Sequence, residues 1–315
     1  MDQDTTSGFR IELPEGSLDI HDLTVGEPSG SAPVVVAVHG ITANGLSWQC
    51  VADELYRRRG PGSVRFLAPD LRGRANSRMV PGPYGLGTHA NDLVAMADVF
   101  GVRPVLVGHS MGAFISALMG ARHPDRVSGV VLVDGGVAFP PPTGVDIDAV
   151  LQAVIGPAMA RLSMRFPTPE AYVEFWMAHP AVGPALTGPQ APELRRYLVH
   201  DLVPADDGTG GWVSSCRLEA VRADGADVLS DPETHAATRK AVASGVPVEL
   251  VWAARGLMDE PQGLYDEGRI TALDLPPDIR VTAVPDANHY TVILGAAGVG
   301  AVADAIERQL DAVTG

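Results

Sequence analysis

Residues 108–112 read Gly-His-Ser-Met-Gly and directly follow the apolar run Pro-Val-Leu-Val at 104–107. A serine between two glycines after such a run is typical of a sharp turn that joins a buried strand to a helix. Glycine is expected on both sides of the serine for steric reasons, because the serine needs a strained backbone and the helix must begin close to the strand. The segment therefore predicts a strand, an accessible Ser110, and a helix over about 111–122 that ends before His123.

Short apolar runs rich in β-branched residues alternate with helical stretches along much of the chain. This alternation indicates an α/β fold, with a mostly parallel sheet that is covered by helices on both faces. The first two runs flank the turn at 14–16 and are predicted to pair antiparallel. Roughly eight strands are predicted, and the last helix is expected over about 298–313. The strand ranges are 9–13, 18–25, 33–38, 64–68, 104–107, 127–133, 246–253 and 279–284.

One gap between predicted strands is much longer than the others and runs from residue 135 to about 244. It opens with Gly135-Gly136 and a proline cluster at 140–142, and it contains helical segments rich in Met, Tyr and Trp. A structureless loop of that length is uncommon, so the gap predicts an inserted helical cap. The expected domains are a core formed by 1–134 and 245–315, with the cap at 135–244. Open α/β sheets bind ligands at the carboxyl ends of their strands, so the cap is expected to lie over Ser110.

Composition narrows the classes of partner. The 315 residues are 46% hydrophobic, which suffices for a large core, and the formal charge of −15 argues against nucleic acid as a partner. Cys50 and Cys216 are far apart and give no disulfide framework or metal-ligand spacing, so we expect no metal and no cofactor. The acidic start and the lack of a long apolar run predict a cytoplasmic protein without a membrane partner. A monomer or homodimer is expected.

A serine nucleophile needs a base to accept its proton and an acid to orient that base. His289 follows the last predicted strand and precedes the last helix, which places it at the same sheet edge as Ser110 and makes it the predicted base. Asp259 is the predicted acid, because the chain order Ser110, Asp259, His289 is one that this architecture uses. Glu260, next to it, and Asp134, at the end of the strand after the serine turn, are alternative acids.

Attack on a carbonyl also needs two backbone N–H donors for the oxyanion that forms. Met111, after the serine, and Ile41, in the tight turn His39-Gly40-Ile41, are predicted to supply them. His39 is expected to hold this turn by hydrogen bonding rather than to act as a base. The residues predicted to line the pocket are His39, Thr42, Asn44, Trp176, Met177 and Tyr290.

Four segments together resemble the α/β-hydrolase fold superfamily, and the resemblance extends over essentially the whole chain. They are 39–41, Asp-Leu-Arg-Gly-Arg-Ala-Asn-Ser at 70–77, the serine turn at 108–112, and 286–290. Ala75 stands where the family usually has glycine, in a loop with a structural role. The serine at 110 differs from the aspartate of haloalkane dehalogenases and epoxide hydrolases. The resemblance implies a capped, carboxylesterase-like serine hydrolase that acts through an acyl-enzyme.

The expected activity is cleavage of a carboxylic ester of a small, largely hydrophobic substrate. One fold carries many reactions, so carbon–carbon bond hydrolysis, lactone hydrolysis and thioester hydrolysis stay open, as does a non-catalytic small-molecule binding protein. Four arginines of the predicted cap are candidates to bind a free carboxylate on the substrate, as in a half-ester. They are Arg161, Arg165, Arg195 and Arg196.

Overall fold

The main sheet has eight strands in the computed structural model, which describes residues 7–138, 156, 159–208 and 210–314. Its spatial order is β1-β2-β4-β3-β5-β6-β10-β11. Strands β1, β2 and β4 pair antiparallel, and the pairs from β4 to β11 are parallel, which confirms the predicted fold class. The strands are β1 (Ser7–Leu13), β2 (Gly16–Asp22), β3 (Val34–Val38), β4 (Arg65–Pro69), β5 (Val105–His109), β6 (Gly129–Val133), β10 (Val248–Arg255) and β11 (Arg280–Asn288).

Three short strands, β7 (Arg165–Phe166), β8 (Leu202–Pro204) and β9 (Trp212–Ser214), form a separate antiparallel sheet in the order β7-β9-β8. The α-helices that lie wholly within the described residues follow in chain order. They are α1 (Gln49–Arg59), α2 (Leu86–Phe100), α3 (Met111–Arg122), α4 (Pro169–Met177), α5 (Ala191–His200), α6 (Leu218–Ser230), α7 (Pro232–Ala243), α8 (Glu267–Ala272), α9 (Thr291–Leu294) and α10 (Ala296–Thr314).

The core lies on both faces of the main sheet. All five residues of β3 are buried, and because successive side chains of a strand point to opposite faces, they divide between two apolar clusters. Val35 and Ala37 belong to the cluster with α1 and α10, whereas the even-numbered valines belong to the cluster with α2 and α3. This explains why the run is continuously apolar. Among the described helices, none combines the length and hydropathy that a bilayer span requires.

The described part of the predicted cap contains α4 to α7 and the small sheet. Helix α7 packs on α3, and a methyl group at Gly120 would lie 3.4 Å from the Cβ of Ala241. It therefore extends the helical layer on one face of the main sheet. Helix α5 instead packs against the 3-10 turn Gly45–Trp48, next to the edge where β5 ends. The prolines at 140–142 lie outside the described residues, and the division into core and cap stays a prediction.

Candidate active site

Ser110 stands between β5 and α3 with φ +55° and ψ −120°. The space around it explains the flanking glycines. A Cβ at Gly108 would lie 2.1 Å from the carbonyl oxygen of Gly112, and a Cβ at Gly112 would lie 2.1 Å from that of Val38. Both distances are far below van der Waals contact, so no side chain fits at either position. The strand, the turn and the helix can meet only with glycine on both sides of the serine.

His289 directly follows β11 and is buried, with 6% of its surface exposed. Its Nδ1 lies 2.6 Å from Oδ2 of Asp134, and its ring lines the same cavity as Ser110. Its carbonyl accepts a hydrogen bond of 2.8 Å from Nε2 of His109, the residue before the serine. Since a carbonyl only accepts, His109 must carry its proton on Nε2. This bond ties the backbone of His289 to the serine turn.

Asp134 follows β6 and is fully buried, with φ +44°. Its backbone N–H donates to Val251 at 2.8 Å, and its Oδ1 accepts the N–H of Ala253 at 3.1 Å. Both contacts are to β10, so the neighbouring strand fixes the carboxylate while Oδ2 faces His289. A Cβ at Gly135 would lie 2.3 Å from the carbonyl oxygen of Ser110, so a glycine after the aspartate lets this strand end directly against the serine.

Asp259, the acid expected from chain order, has other partners. Its carboxylate accepts hydrogen bonds from Arg255, at 2.8 Å from Nε and 3.0 Å from Nη2, and from Nδ2 of Asn288 at 3.0 Å. The side chain is 35% exposed. The side-chain hydrogen bonds to Arg255 and Asn288 lower the pKa of Asp259 below its usual range. The structure thus corrects the sequence expectation, because it brings Asp134 rather than Asp259 to His289.

The physical reason is the tight turn that follows β10. The N–H of Gly256 donates to the carbonyl of Glu260 at 3.0 Å, and the N–H of Asp259 donates back to Gly256 at 3.1 Å. The turn folds the chain back, so that Asp259 lies against the guanidinium of Arg255, four residues earlier in the sequence. Glu260, the neighbouring alternative, accepts the N–H of Met258 at 2.7 Å and so belongs to the same turn.

His39 organises the loop of residues 39–44, which joins β3 to the 3-10 turn Gly45–Trp48 and contains Ile41. Its Nε2 accepts the N–H of Leu71 at 3.0 Å, so its proton is on Nδ1, which donates to the carbonyl of Gly40 at 2.8 Å. Burial lowers the pKa of His39 to about 3, which keeps the ring neutral. Because carbonyl and N–H of a trans peptide point in opposite directions, this bond turns the N–H of Ile41 away from His39. A Cβ at Gly40 would lie 3.3 Å from the Cβ of Ser110, so the loop backbone passes close to the serine.

Arg74 holds the next carbonyl of this loop. Its fully buried guanidinium donates to the carbonyl of Ile41 from Nε at 3.0 Å and from Nη2 at 2.9 Å. Its Nη1 pairs with Oδ2 of Asp224, on α6, at 2.6 Å. Asp224 in turn contacts Nε2 of His89 at 3.0 Å. A buried guanidinium requires such a counter-charge, so a residue of helix α6 compensates a charge beneath the loop.

Arg161 holds the carbonyl of Thr42 in the same way, with Nη2 donating at 3.2 Å. It is buried and forms an ion pair with Asp201, which also accepts the Tyr172 hydroxyl at 2.6 Å. Its guanidinium carbon lies 5.5 Å from the centroid of the Trp176 ring. Two consecutive loop carbonyls are therefore held by buried arginines. The sequence predicts neither role, because Asp224 and Asp201, the acids that pair with Arg74 and Arg161, are distant from them in the chain.

The cavity at Ser110 is small, because the centre of a water-sized sphere can occupy only about 50 Å³ of it. Of the predicted pocket residues, Thr42, Trp176 and Tyr290 line it together with Gly40 and Ile41. Besides Ser110 and His289, further described residues line the cavity, and the sequence does not predict that they do. They are Ala43, Ser47, His109, Tyr197, Leu257, Ile293 and Leu294.

The other predicted pocket residues lie elsewhere. His39 is beneath the loop, and Asn44 caps the 3-10 turn by accepting the N–H of Leu46 at 3.1 Å. Its Nδ2 also donates to the carbonyl of Tyr197 at 3.1 Å, which ties α5 to the loop. Met177 is 43% exposed, on the outer side of α4.

The four arginines proposed to bind a substrate carboxylate are not among the described residues that line the cavity. Arg161 is paired with Asp201, and Arg165 is paired with Asp207. Arg196 donates to Oε1 of Gln49, and Arg195 is exposed. Among the residues that the structure describes, these contacts thus leave none of the four arginines to bind a free carboxylate in the cavity.

Comparisons with known proteins agree with this architecture. A family model described as alpha/beta hydrolase fold matches residues 33–166, which include β3, the serine turn and Asp134. An uncharacterized protein of Mycobacterium tuberculosis is 24% identical over 238 residues, which are 73% of this chain. The match spans only 63% of that relative's length.

Two further comparisons cover nearly the whole chain. The 2-(acetamidomethylene)succinate hydrolase of Mesorhizobium japonicum is 26% identical over 285 residues, or 89% of this chain and 88% of that protein. The crystal structure of an E-2-(acetamidomethylene)succinate hydrolase superposes with a TM-score of 0.71 at 22% identity, over 97% of this chain and 99% of that one. At this identity the superposition shows a shared fold.

Proposed function

The chain belongs to the α/β-hydrolase superfamily, and on that scaffold we propose that it is a serine hydrolase that cleaves a carboxylic ester of a small, largely apolar substrate. One observation carries the proposal. Ser110, in the strained turn after β5, lines one cavity with His289, whose Nδ1 is 2.6 Å from the buried Asp134. Nucleophile, base and orienting acid of an acyl-transfer enzyme are arranged in this way.

In the proposed first step, Nε2 of His289 accepts the proton of the Ser110 hydroxyl as the oxygen attacks the ester carbonyl. Asp134 keeps the proton of the neutral imidazole on Nδ1 and stabilises the imidazolium that forms. The backbone N–H groups of Ile41 and Met111 are assigned to the oxyanion. Each such donor contributes roughly 3 kcal/mol to transition-state stabilisation.

The tetrahedral intermediate collapses when His289 gives its proton to the alcohol oxygen, which leaves as the alcohol. This produces an acyl ester on Ser110. His289 then takes a proton from water, the hydroxide adds to the acyl carbon, and collapse of the second intermediate returns the proton to Ser110 and releases the carboxylic acid. The same groups therefore serve both halves of the reaction.

The cavity supports a small, apolar acyl group. Much of its described wall is formed by Ile41, Trp176, Leu257, Ile293 and Leu294, and its volume suits a short chain. A dicarboxylate, which the name of the Mesorhizobium relative implies for that protein, would require a cation that the described wall does not provide. We therefore assign this chain a different substrate preference from that relative.

The choice of bond is tested with a panel of substrates for the purified protein. We expect nitrophenyl acetate and butyrate to be hydrolysed faster than the octanoate, and half-esters to be poor substrates. The panel also contains a lactone, a thioester and a coloured dienol from ring cleavage. Fast consumption of the dienol with no ester turnover would replace the ester assignment with carbon–carbon hydrolysis.

The nucleophile is tested separately. A fluorophosphonate probe is expected to label the wild-type protein on Ser110, as read by mass spectrometry of the labelled peptide, and Ser110→Ala should lose both labelling and ester turnover. Ser116→Ala is the matched control, because Ser116 lies on α3 with its hydroxyl bonded to the carbonyl of Gly112 at 2.8 Å. Failure of the wild-type serine to react would favour a binding protein without catalysis.

A further inference from the structure

Outside the cavity, two imidazoles and one carboxylate meet where α5 contacts the core. His21 lies in β2, Asp70 directly follows β4, and His200 is the last residue of α5. One nitrogen or oxygen atom of each lies within 4.8 Å of the others. These three residues, the His21–Asp70–His200 cluster, are brought together by the fold and not by a local motif, so their spacing along the chain does not predict that they meet.

One nitrogen of the cluster makes no hydrogen bond to the described residues. Nε2 of His200 lies 2.9 Å from Oδ2 of Asp70. Nε2 of His21 lies 3.1 Å from Oδ1, but not in hydrogen-bond geometry, and this buried atom makes no hydrogen bond to the described residues. His21 is only 6% exposed. A buried nitrogen left in this way costs free energy unless something binds it.

The carboxylate is held in place from outside the cluster. Asp70 is fully buried, its Oδ1 accepts the N–H of Gly45 at 2.8 Å, and its Oδ2 accepts that of Asn76 at 3.1 Å. Hydrogen bonds of this type orient ligating carboxylates in metal sites. The nitrogen–oxygen separations within the cluster suit neighbouring ligands that each lie about 2.0–2.2 Å from one ion.

We propose that His21, Asp70 and His200 bind one divalent zinc ion. Two imidazoles and a carboxylate are ligands that zinc prefers, and a site with three protein ligands leaves a position for water. His21 and His200 also line a surface groove, and in this proposal the ion enters from that side. The charged side chains of that groove, Arg10 and Asp19, are paired with each other at 3.1 Å.

The site would join α5 to β2 and to the end of β4. Helix α5 also carries Tyr197, which lines the cavity at Ser110. A bound ion would therefore hold this wall of the cavity against the core and raise the stability of the folded chain, since it binds the folded but not the unfolded arrangement. This role is independent of the ester hydrolase assignment.

The experiment uses the full chain without a histidine tag, freed of metal with a chelator. Titration calorimetry with zinc chloride should give one ion per chain and a rise in the melting temperature. Cobalt(II) should give the visible absorption of a four- or five-coordinate site with nitrogen and oxygen ligands. His21→Ala and His200→Ala should weaken zinc binding by more than about 100-fold, because even the groups that orient metal ligands contribute 10- to 100-fold.

Two controls separate metal binding from loss of structure. His123→Ala, at the end of α3, removes a histidine far from the cluster and should bind zinc like the wild type. His200→Gln can still donate to Asp70, so its metal-free melting temperature should stay near that of the wild type while the rise with zinc is lost. Absence of zinc binding by the wild type at micromolar concentrations, or zinc affinity in both alanine variants equal to that of the wild type, would overturn the proposal.

Discussion

Two neighbouring strands, β6 and β10, each deliver a carboxylate at the same edge of the sheet, and the two carboxylates differ in their surroundings. Asp134 and Asp259 both have positive φ, +44° and +61°. Asp134 is fully buried and held by β10, with one oxygen left to face His289. Asp259 is partly exposed and held by Arg255. Asp134 is therefore the proposed orienting acid because of its burial and its contact with His289, whereas chain order alone favoured Asp259.

The largest effect is expected for Asp134→Asn. An amide can hold the ring of His289 but favours the wrong tautomer and cannot stabilise its cation, so kcat should fall by about 10³- to 10⁴-fold. Steady-state hydrolysis of nitrophenyl butyrate measures this, with circular dichroism to confirm folding. If Asp134→Asn kept most of its activity while Asp259→Asn lost it, the roles of the two strand ends would be exchanged.

A smaller effect is expected for Asn288→Ala, which removes the residue that links Asp259 to the turn carrying His289. Asn288 donates to Asp259 and to the carbonyl of Ala181, both at 3.0 Å, and its Oδ1 accepts the N–H groups of Tyr290 and Thr291. Its loss should loosen the turn that carries His289 and lower kcat about tenfold, in line with the roughly 1–3 kcal/mol cost of unsatisfied buried groups. Asn288→Asp combined with Asp259→Asn keeps the acceptor without setting two carboxylates against each other, and this double variant is expected to retain more activity than Asn288→Ala. Equal losses in both variants would mean that the bonds donated by the Asn288 amide, and not those accepted by Oδ1, hold His289.

The smallest effect is expected for Asp259→Asn, which should change kcat by less than about threefold because exposed ion pairs contribute little. The pKa of Asp259 is lower in the folded chain than in the unfolded chain, so its ion pair stabilises above the unfolded pKa and the contribution is lost as the pH falls through the folded pKa. Urea unfolding at pH 7 and pH 3 should therefore show a slightly larger loss of stability for the wild type than for Asp259→Asn. A larger loss for Asp259→Asn would contradict the assigned sign.

The sequence indicated the fold well, because its signals are local. The all-apolar β3 and the run before Ser110 mark buried parallel strands, and α3 ends at Arg122 as the following His-Pro pair predicts. The positions of Ser110 and His289 follow from strand ends, which a sequence pattern can locate. The direction of the turn after β10 depends on Arg255 and on hydrogen bonds that no pattern displays. The partners of Arg74 and Arg161 are likewise distant in sequence and could not be predicted.

Those two buried arginines have a consequence for the exchange of parts between related proteins. Arg74 takes its counter-charge from Asp224, and Arg161 takes its own from Asp201, so both charges under the loop of Ile41 and Thr42 are balanced by residues of 159–244. A graft that replaced 159–244 with a segment lacking an aspartate at the position of Asp224 would leave Arg74 buried without its counter-charge, a defect that costs about 3–5 kcal/mol. A working chimera must therefore carry an acid for Arg74 on the grafted segment.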